Sequence, residues 1–221
     1  MVQRWYRAGQ LPHSRAVSRA RLESFSDGVI AVAITLLALD LAVPGPGHGP
    51  LITQLGSRWP AFVAYLISFF TIGIIWVNHH ERIRNVKVVD RTLLFLNLFL
   101  LLFVVAIPFA TATMAEYLTA GGQDAHISMV LYAAIMLGMG LAFAVMFEWT
   151  LRTGHLEHPI PTELQRKARV RSSIGALIYV GAMIVALFNA PAALGIIGAV
   201  AVYYIFEQTP RELRRDHHEA D

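Results

Sequence analysis

The sequence lacks cysteine and has few charged side chains. Without cysteine it forms no disulfide scaffold, thiolate zinc site, iron–sulfur cluster or thiol nucleophile. Aspartate, glutamate, lysine and arginine make up 15% of the 221 residues, and hydrophobic residues make up 56%. A soluble domain usually carries about 25% charged and about 45–50% apolar residues. The deficit of charge therefore predicts a protein that is integral to a membrane.

Long hydrophobic runs occupy most of the chain. A transmembrane helix needs about 20 apolar residues, because each residue rises about 1.5 Å and the hydrocarbon core is about 30 Å thick. Six segments meet or approach this length, and they cover residues 25–43, 59–78, 92–115, 127–150, 174–189 and 192–206. The last two are shorter and form either two spans or a re-entrant hairpin. We predict an all-α integral membrane protein with six transmembrane helices in one domain, 1–221.

Basic residues are concentrated on one side of this arrangement. Lysine and arginine collect in cytoplasmic loops and thereby set orientation. All but one of the 18 basic residues lie before the first span, between spans two and three, between spans four and five, or in the tail, and the exception is Arg58. The N-terminus (1–20) and the tail (209–221) are therefore predicted to be cytoplasmic. Because the loops explain the net positive charge, no nucleic-acid partner is predicted. No apolar run precedes Phe25, so we expect an uncleaved anchor rather than a secretory signal.

Polar side chains of the first two spans are predicted to meet at one end of the bundle. The spans run antiparallel, so the start of the first lies level with the end of the second. The side chains at this level are Arg21, Ser26, Asp27, Asn78, His79 and His80, with Asn97 and Glu148 from the next two spans. Polar residues in membrane helices usually face the bundle and find partners. Three interpretations stay open: interfacial side chains, a structural network, or a proton relay through Asp27 and the histidines.

Four residues of the first span form a stripe. Val32, Thr35, Leu36 and Leu39 follow the spacing i, i+3, i+4 and i+7, which places them on one helix face. Such a stripe in a membrane helix usually faces lipid or packs in the core. Spacing alone therefore does not identify a pore.

The first two spans resemble the transmembrane protein 175 family, which comprises endolysosomal potassium channels and their prokaryotic relatives. The pattern RxxxFSD of the family's first helix is carried by Arg21, Phe25, Ser26 and Asp27. The second span ends in the family's pattern, Trp76-x-Asn78-His79-His80. This resemblance implies a homotetramer in which four copies of the first helix line a central pore. It further implies a potassium-selective channel in the plasma membrane of a prokaryote, with potassium ions, membrane lipid and its own copies as partners.

The resemblance also assigns roles to residues. The pore constriction and its selectivity would be formed by Val32, Thr35, Leu36 and Leu39, with potassium passing transiently near Thr35. The pore helix would be supported by Arg21, Phe25, Ser26, Asp27, Trp76, Asn78, His79 and His80. Val32 is smaller than the isoleucine or leucine expected at the narrowest position. No TVGYG filter sequence is present, so selectivity would come from an apolar ring beside a ring of hydroxyls.

Other function classes receive less support from the sequence. A secondary transporter or proton-coupled permease using Asp27 with His79 and His80 is the alternative, but no convincing internal repeat accompanies it. An enzyme is not predicted, because no GxSxG element, metal-binding helix motif or phosphate-binding glycine loop occurs. No cofactor or resident metal is expected. Adjacent histidines on a helix point about 100° apart, which disfavours a zinc site.

Overall fold

A computed structural model describes residues 18–207, in which the regular elements are helical apart from an isolated bridge between Val86 and Leu156. The predicted cytoplasmic segments at the two ends lie largely or wholly outside these residues. The seven α-helices are α1 (Arg19–Leu36), α2 (Leu51–Ser57), α3 (Trp59–Arg84), α4 (Arg91–Ala120), α5 (Gly122–Arg152), α6 (Thr162–Ala186) and α7 (Ala190–Glu207). The all-α class predicted from the sequence is confirmed.

Five helical stretches within 18–207 are long and apolar enough to cross a membrane. They are α3, α4, α5, α6 and the continuous run Arg19–Asp40, in which α1 passes into a 3₁₀ turn at Leu37–Asp40. The last helix is apolar but shorter, over Ala190–Phe206. The first four predicted spans thus coincide with long helices. The predicted sixth span corresponds to α7, whose length is marginal for crossing.

Two predicted boundaries differ from those of the helices. The fifth span was expected at 174–189, but α6 begins twelve residues earlier, at Thr162. Its first turns carry basic side chains, so hydropathy does not reveal them although they are helical. The break predicted around residues 120–126 is reduced to Gly121, whose φ of +73° ends α4 immediately before α5 begins. Glycine adopts a positive φ without steric cost because it has no Cβ.

The linker after the first span contains a helix that the sequence did not indicate. Helix α2 is held against the glycine- and proline-rich loop by the buried side chain of Gln54. Its Nε2 donates to the carbonyl oxygens of Gly45 and Gly49 at 3.0 and 2.9 Å, and its Oε1 accepts from the Gly45 amide at 2.9 Å. One amide side chain therefore satisfies backbone groups that the irregular loop leaves open.

The opposite end of the bundle is fastened by loop contacts. The Lys87 amide donates to the carbonyl oxygen of His155 at 2.7 Å, and the Glu157 amide donates to that of Asn85 at 2.8 Å. Arg19, at the start of α1, donates through Nη1 to a carboxylate oxygen of Glu157 at 3.0 Å. The start of α1 and the loops after α3 and α5 therefore lie at one end, as the distribution of basic residues predicts.

Candidate pore helix and its supporting network

Helix α1 has a buried face and an exposed face. Leu22, Ser26, Ile30 and Ala33, spaced four, four and three residues apart, are buried within the chain, where α1 packs against α3 and α4. On the exposed face, the side chains of Val32, Leu36 and Leu39 have relative exposures of 56%, 38% and 72%. Thr35 is exposed on the same face. We call these four residues the exposed α1 stripe, which residues 18–207 leave largely uncovered.

Thr35 is the polar member of the exposed α1 stripe. Its hydroxyl donates to the Val32 carbonyl oxygen at 2.8 Å. A hydroxyl has one proton and two acceptor lone pairs. Because the proton is engaged by the helix backbone, the lone pairs of the oxygen are what the side chain can offer to a cation.

The end of the stripe is shaped by the 3₁₀ turn. In a 3₁₀ helix, residues three positions apart eclipse one another along the axis. Leu39 lies within the turn Leu37–Asp40, so it is aligned with Leu36 more closely than in a continuous α-helix. The hydropathy of the first span predicted one continuous helix and gave no indication of this turn.

A buried polar network supports α1 from behind, and it consists of Ser26, His79 and Asn97. All three side chains are fully buried. Asn97 Nδ2 donates to the Ser26 hydroxyl oxygen at 3.0 Å, and Asn97 Oδ1 lies 2.7 Å from His79 Nε2. Since Oδ1 can only accept, His79 donates through Nε2. The buried polar network therefore connects α1, α3 and α4.

A second cluster lies between α1 and α3 in a less buried position. Trp76 donates through Nε1 to Asp27 Oδ1 at 2.9 Å, and His80 Nδ1 lies 2.8 Å from Glu23 Oε1. One ligand atom from each of Glu23, Asp27 and His80 falls within 4.8 Å of the others, a grouping that could hold a metal ion. The contacts with Trp76 and within the cluster already give each of these side chains a partner. Glu23 was not singled out from the sequence, although it precedes Asp27 by one helical turn.

The structure separates the predicted support residues into four groups. Ser26 and His79 belong to the buried polar network, while Asp27, Trp76 and His80 belong to the second cluster. The structure leaves Arg21 and Phe25 exposed on the stripe side of α1 rather than in the network. Asn78 donates to the carbonyl oxygen of Ile74 in its own helix at 2.9 Å and lines a cavity on another face of α3.

Asn97 was predicted to lie at the level of the polar side chains, but its partners were not named. An asparagine in the middle of an apolar run was the available signal, because a buried amide requires partners.

Comparison with known proteins identifies the family. The family model described as endosomal/lysosomal potassium channel TMEM175 matches residues 21–108. A potassium channel of Streptomyces collinus is 44% identical over 192 residues, which cover 86% of this chain and 93% of that protein. The chain belongs to the TMEM175 family. The matched segment holds α1, α3 and the first part of α4, and therefore both the exposed α1 stripe and the buried polar network.

Further TMEM175 relatives extend the comparison. The crystal structure of a lysosomal potassium-selective channel TMEM175 homolog from Chamaesiphon minutus superposes with a TM-score of 0.76 at 30% identity, covering 87% of this chain and 98% of that one. The mouse endosomal/lysosomal proton channel TMEM175 is 33% identical over 155 residues. That match covers 66% of this chain but 30% of the mouse protein. The chain is thus similar in extent to the bacterial members and much shorter than the mouse member.

Proposed function

We propose that the chain is a potassium-selective channel that conducts passively along a pore lined by α1, with no catalytic residue. The observation that carries the proposal is the exposed α1 stripe, which the described residues leave largely uncovered and which the buried polar network supports from behind. The bacterial relatives described above are named potassium channels or potassium-selective channels.

The pore requires several copies of the chain. One chain supplies one α1 helix, and one helix cannot enclose a pathway, so closure needs cyclic symmetry. We propose a homotetramer in the plasma membrane of a prokaryote, with both termini cytoplasmic. Helix α7 serves as the sixth span. Its 18 residues extend about 27 Å, which is close to the hydrocarbon thickness of about 30 Å.

Selectivity in this proposal comes from a hydroxyl ring within an apolar constriction. Val32, Leu36 and Leu39 offer no ligand to an ion, so narrow passage through them favours dewetting. The oxygen of Thr35 replaces part of the hydration shell of potassium. Without such compensation, an ion entering an apolar setting loses hydration at a cost far above the roughly 2–7 kcal/mol of burying an unpaired neutral polar group.

The arrangement of the histidines favours a channel over a proton-coupled transporter. His79 is fully buried and bonded to Asn97, whereas Asp27 is bonded to Trp76 in the second cluster. These separate pairings support a structural role for both residues. Since vertebrate relatives are named proton channels, the choice of permeant ion is the property to measure.

The proposal is tested by ion flux from purified protein in liposomes, with potassium, sodium and proton gradients compared. Thr35→Val retains the side-chain shape and should weaken the preference for potassium over sodium while assembly persists. Val32→Leu should reduce potassium flux, because the ring narrows in every subunit. Thr113→Val is the matched control, since its hydroxyl also donates to its own helix, to Phe109 at 2.9 Å, but on α4. Equal effects of Thr35→Val and Thr113→Val would contradict the assignment.

A further inference from the structure

A cavity of about 720 Å³ lies between α3, α5, α6 and α7, and none of its lining residues belongs to α1. Its walls include apolar side chains such as Ile75, Leu137 and Phe143, whereas its end nearest the loops carries four arginines. These arginines are Arg82, Arg152, Arg169 and Arg171. Pockets of about 300–1,000 Å³ commonly enclose small ligands. We call this space the basic cavity.

The guanidinium of Arg82 packs against two aromatic rings in the basic cavity. Its guanidinium carbon lies 4.3 and 3.9 Å from the ring centroids of Phe143 and Phe147, which are one turn apart on α5. Its Nη1 is buried and has no hydrogen-bond partner among residues 18–207. Contact with aromatic rings positions a guanidinium without using its N–H donors. Arg82 is therefore held in place with donor capacity that the described part of the chain does not satisfy.

The lining of the basic cavity carries an excess of positive charge. Glu148 is its one carboxylate within the described residues, and it is already engaged. Arg169 donates to it through Nε at 2.9 Å and through Nη2 at 3.2 Å, and Arg152 donates through Nε at 2.8 Å. Glu148 therefore does not compensate Arg82, and a buried guanidinium without a paired charge is costly.

We propose that the basic cavity binds the phosphate headgroup of an anionic phospholipid, with acyl chain carbons against its apolar wall. The four arginines of the cavity lie toward the end of the bundle that carries the basic loops, which is the predicted cytoplasmic leaflet. Basic pockets between transmembrane helices on this side suit acidic lipid headgroups. Arginine binds phosphate through two parallel N–H bonds, and the hydroxyls of Ser172 and Ser173 also line the cavity. Inorganic phosphate shares this headgroup chemistry but lacks acyl chains for the apolar wall.

Native mass spectrometry of the full chain in mild detergent tests the assignment. The protein is equilibrated with equal amounts of phosphatidylglycerol and phosphatidylcholine, and lipid retained per subunit is counted. We expect the protein to retain phosphatidylglycerol in preference to phosphatidylcholine. Arg82→Gln should weaken retention of phosphatidylglycerol about tenfold, because charged hydrogen bonds are lost. Arg84→Gln is the matched control, since it removes the same charge from an exposed arginine that does not line the cavity.

A second variant keeps the test decisive if Arg82→Gln does not fold. Gly140 lines the basic cavity, and a Cβ placed there meets no other atom within 4 Å. Gly140→Leu should therefore fill the cavity with all charges retained and displace phosphatidylglycerol. Retention that is unchanged in both variants, or equal retention of the two lipids by the unmodified protein, would overturn the proposal.

Competition with inorganic phosphate distinguishes a lipid headgroup from a free anion as the occupant of the cavity. Inorganic phosphate is added to the lipid-loaded protein, and loss of phosphatidylglycerol is followed. We expect the lipid to persist, because its acyl chains contribute contacts that free phosphate lacks. If inorganic phosphate displaces the lipid completely, and thermally stabilises the unmodified protein but not Arg82→Gln, the cavity is a site for soluble anions and the lipid assignment is wrong.

Discussion

The Oδ1 atom of Asn97 lies 2.7 Å from Nε2 of His79, and both side chains are fully buried. Through its Nδ2, Asn97 also donates to the Ser26 hydroxyl at 3.0 Å. One amide thus uses both ends to join α4 with α3 and α1. A helix fixed in this way presents its exposed stripe in a constant orientation.

Asn97→Ala should destabilise the protein by about 1–3 kcal/mol, because His79 and Ser26 lose a partner in a buried setting. The measurement is unfolding of the purified protein in detergent, followed by temperature or denaturant. Asn78→Ala is the control, since the Asn78 amide bonds to Ile74 of its own helix. Asn78→Ala should lower the free energy of unfolding less than Asn97→Ala does. An equally large decrease would contradict a special role for the buried polar network.

Trp76→Phe removes the donor to Asp27 while leaving an aromatic ring in place. We expect a loss of about 1 kcal/mol, because the bond is charge-assisted but partly exposed. Asp27→Asn should have a similar effect, and the two together should cost less than the sum of the single changes. Unfolding in detergent of the two single variants and the double variant measures the coupling energy between Trp76 and Asp27. The ratio of potassium to sodium flux should stay constant, and a variant that folds normally but loses selectivity or gains proton coupling would favour the transporter.

The orientation of the bundle can be checked by thiol labelling, because the chain contains no cysteine. His48 and Lys87 are exposed and lie in loops at opposite ends of α3. In intact cells, an impermeant reagent should label His48→Cys and should not label Lys87→Cys. Labelling of Lys87→Cys alone would invert the predicted topology.

Close packing of α4 against α5 depends on Gly138. A Cβ at this position would collide with the Phe103 ring of α4, whereas a Cβ at Gly140 meets nothing within 4 Å. Gly138→Ala should therefore destabilise by about 1–3 kcal/mol through overpacking, and Gly140→Ala should be close to neutral. Detergent unfolding distinguishes the two. Similar stabilities for both variants would show that Phe103 moves aside without cost.

The sequence predicted those features of the fold that hydropathy and charge encode. The first four spans were recognised because apolar runs must be long enough to cross a bilayer. The helix ends that share one side of the bundle were recognised because basic residues lie next to them. The start of α6 was missed, since its basic first turns have the composition of a loop. The short helix α2 was missed because one buried side chain, Gln54, organises it.

The candidate site was predictable only where it depends on the spacing of residues within one helix. Spacing on one helix placed Val32 and Thr35 on a common face, and the structure leaves that face exposed. Contacts between helices are not encoded by spacing within one helix. Consequently, neither the pairing of Asn97 with both Ser26 and His79 nor the exposure of Arg21 and Phe25 could be read from the sequence. The position of Arg82 between two phenylalanines of α5 also depends on tertiary packing.

The claim that the exposed α1 stripe lines the pore is tested most directly by Val32→Cys in this cysteine-free chain. Cadmium ions added to liposomes that conduct potassium should block the flux, because cysteines contributed by several subunits to one ring can bind the metal together. Removal of cadmium by a chelator should restore it. Val105→Cys, at an exposed valine on α4, should conduct without block. Potassium flux that persists through Val32→Cys in cadmium, or equal block of Val105→Cys, would contradict the account.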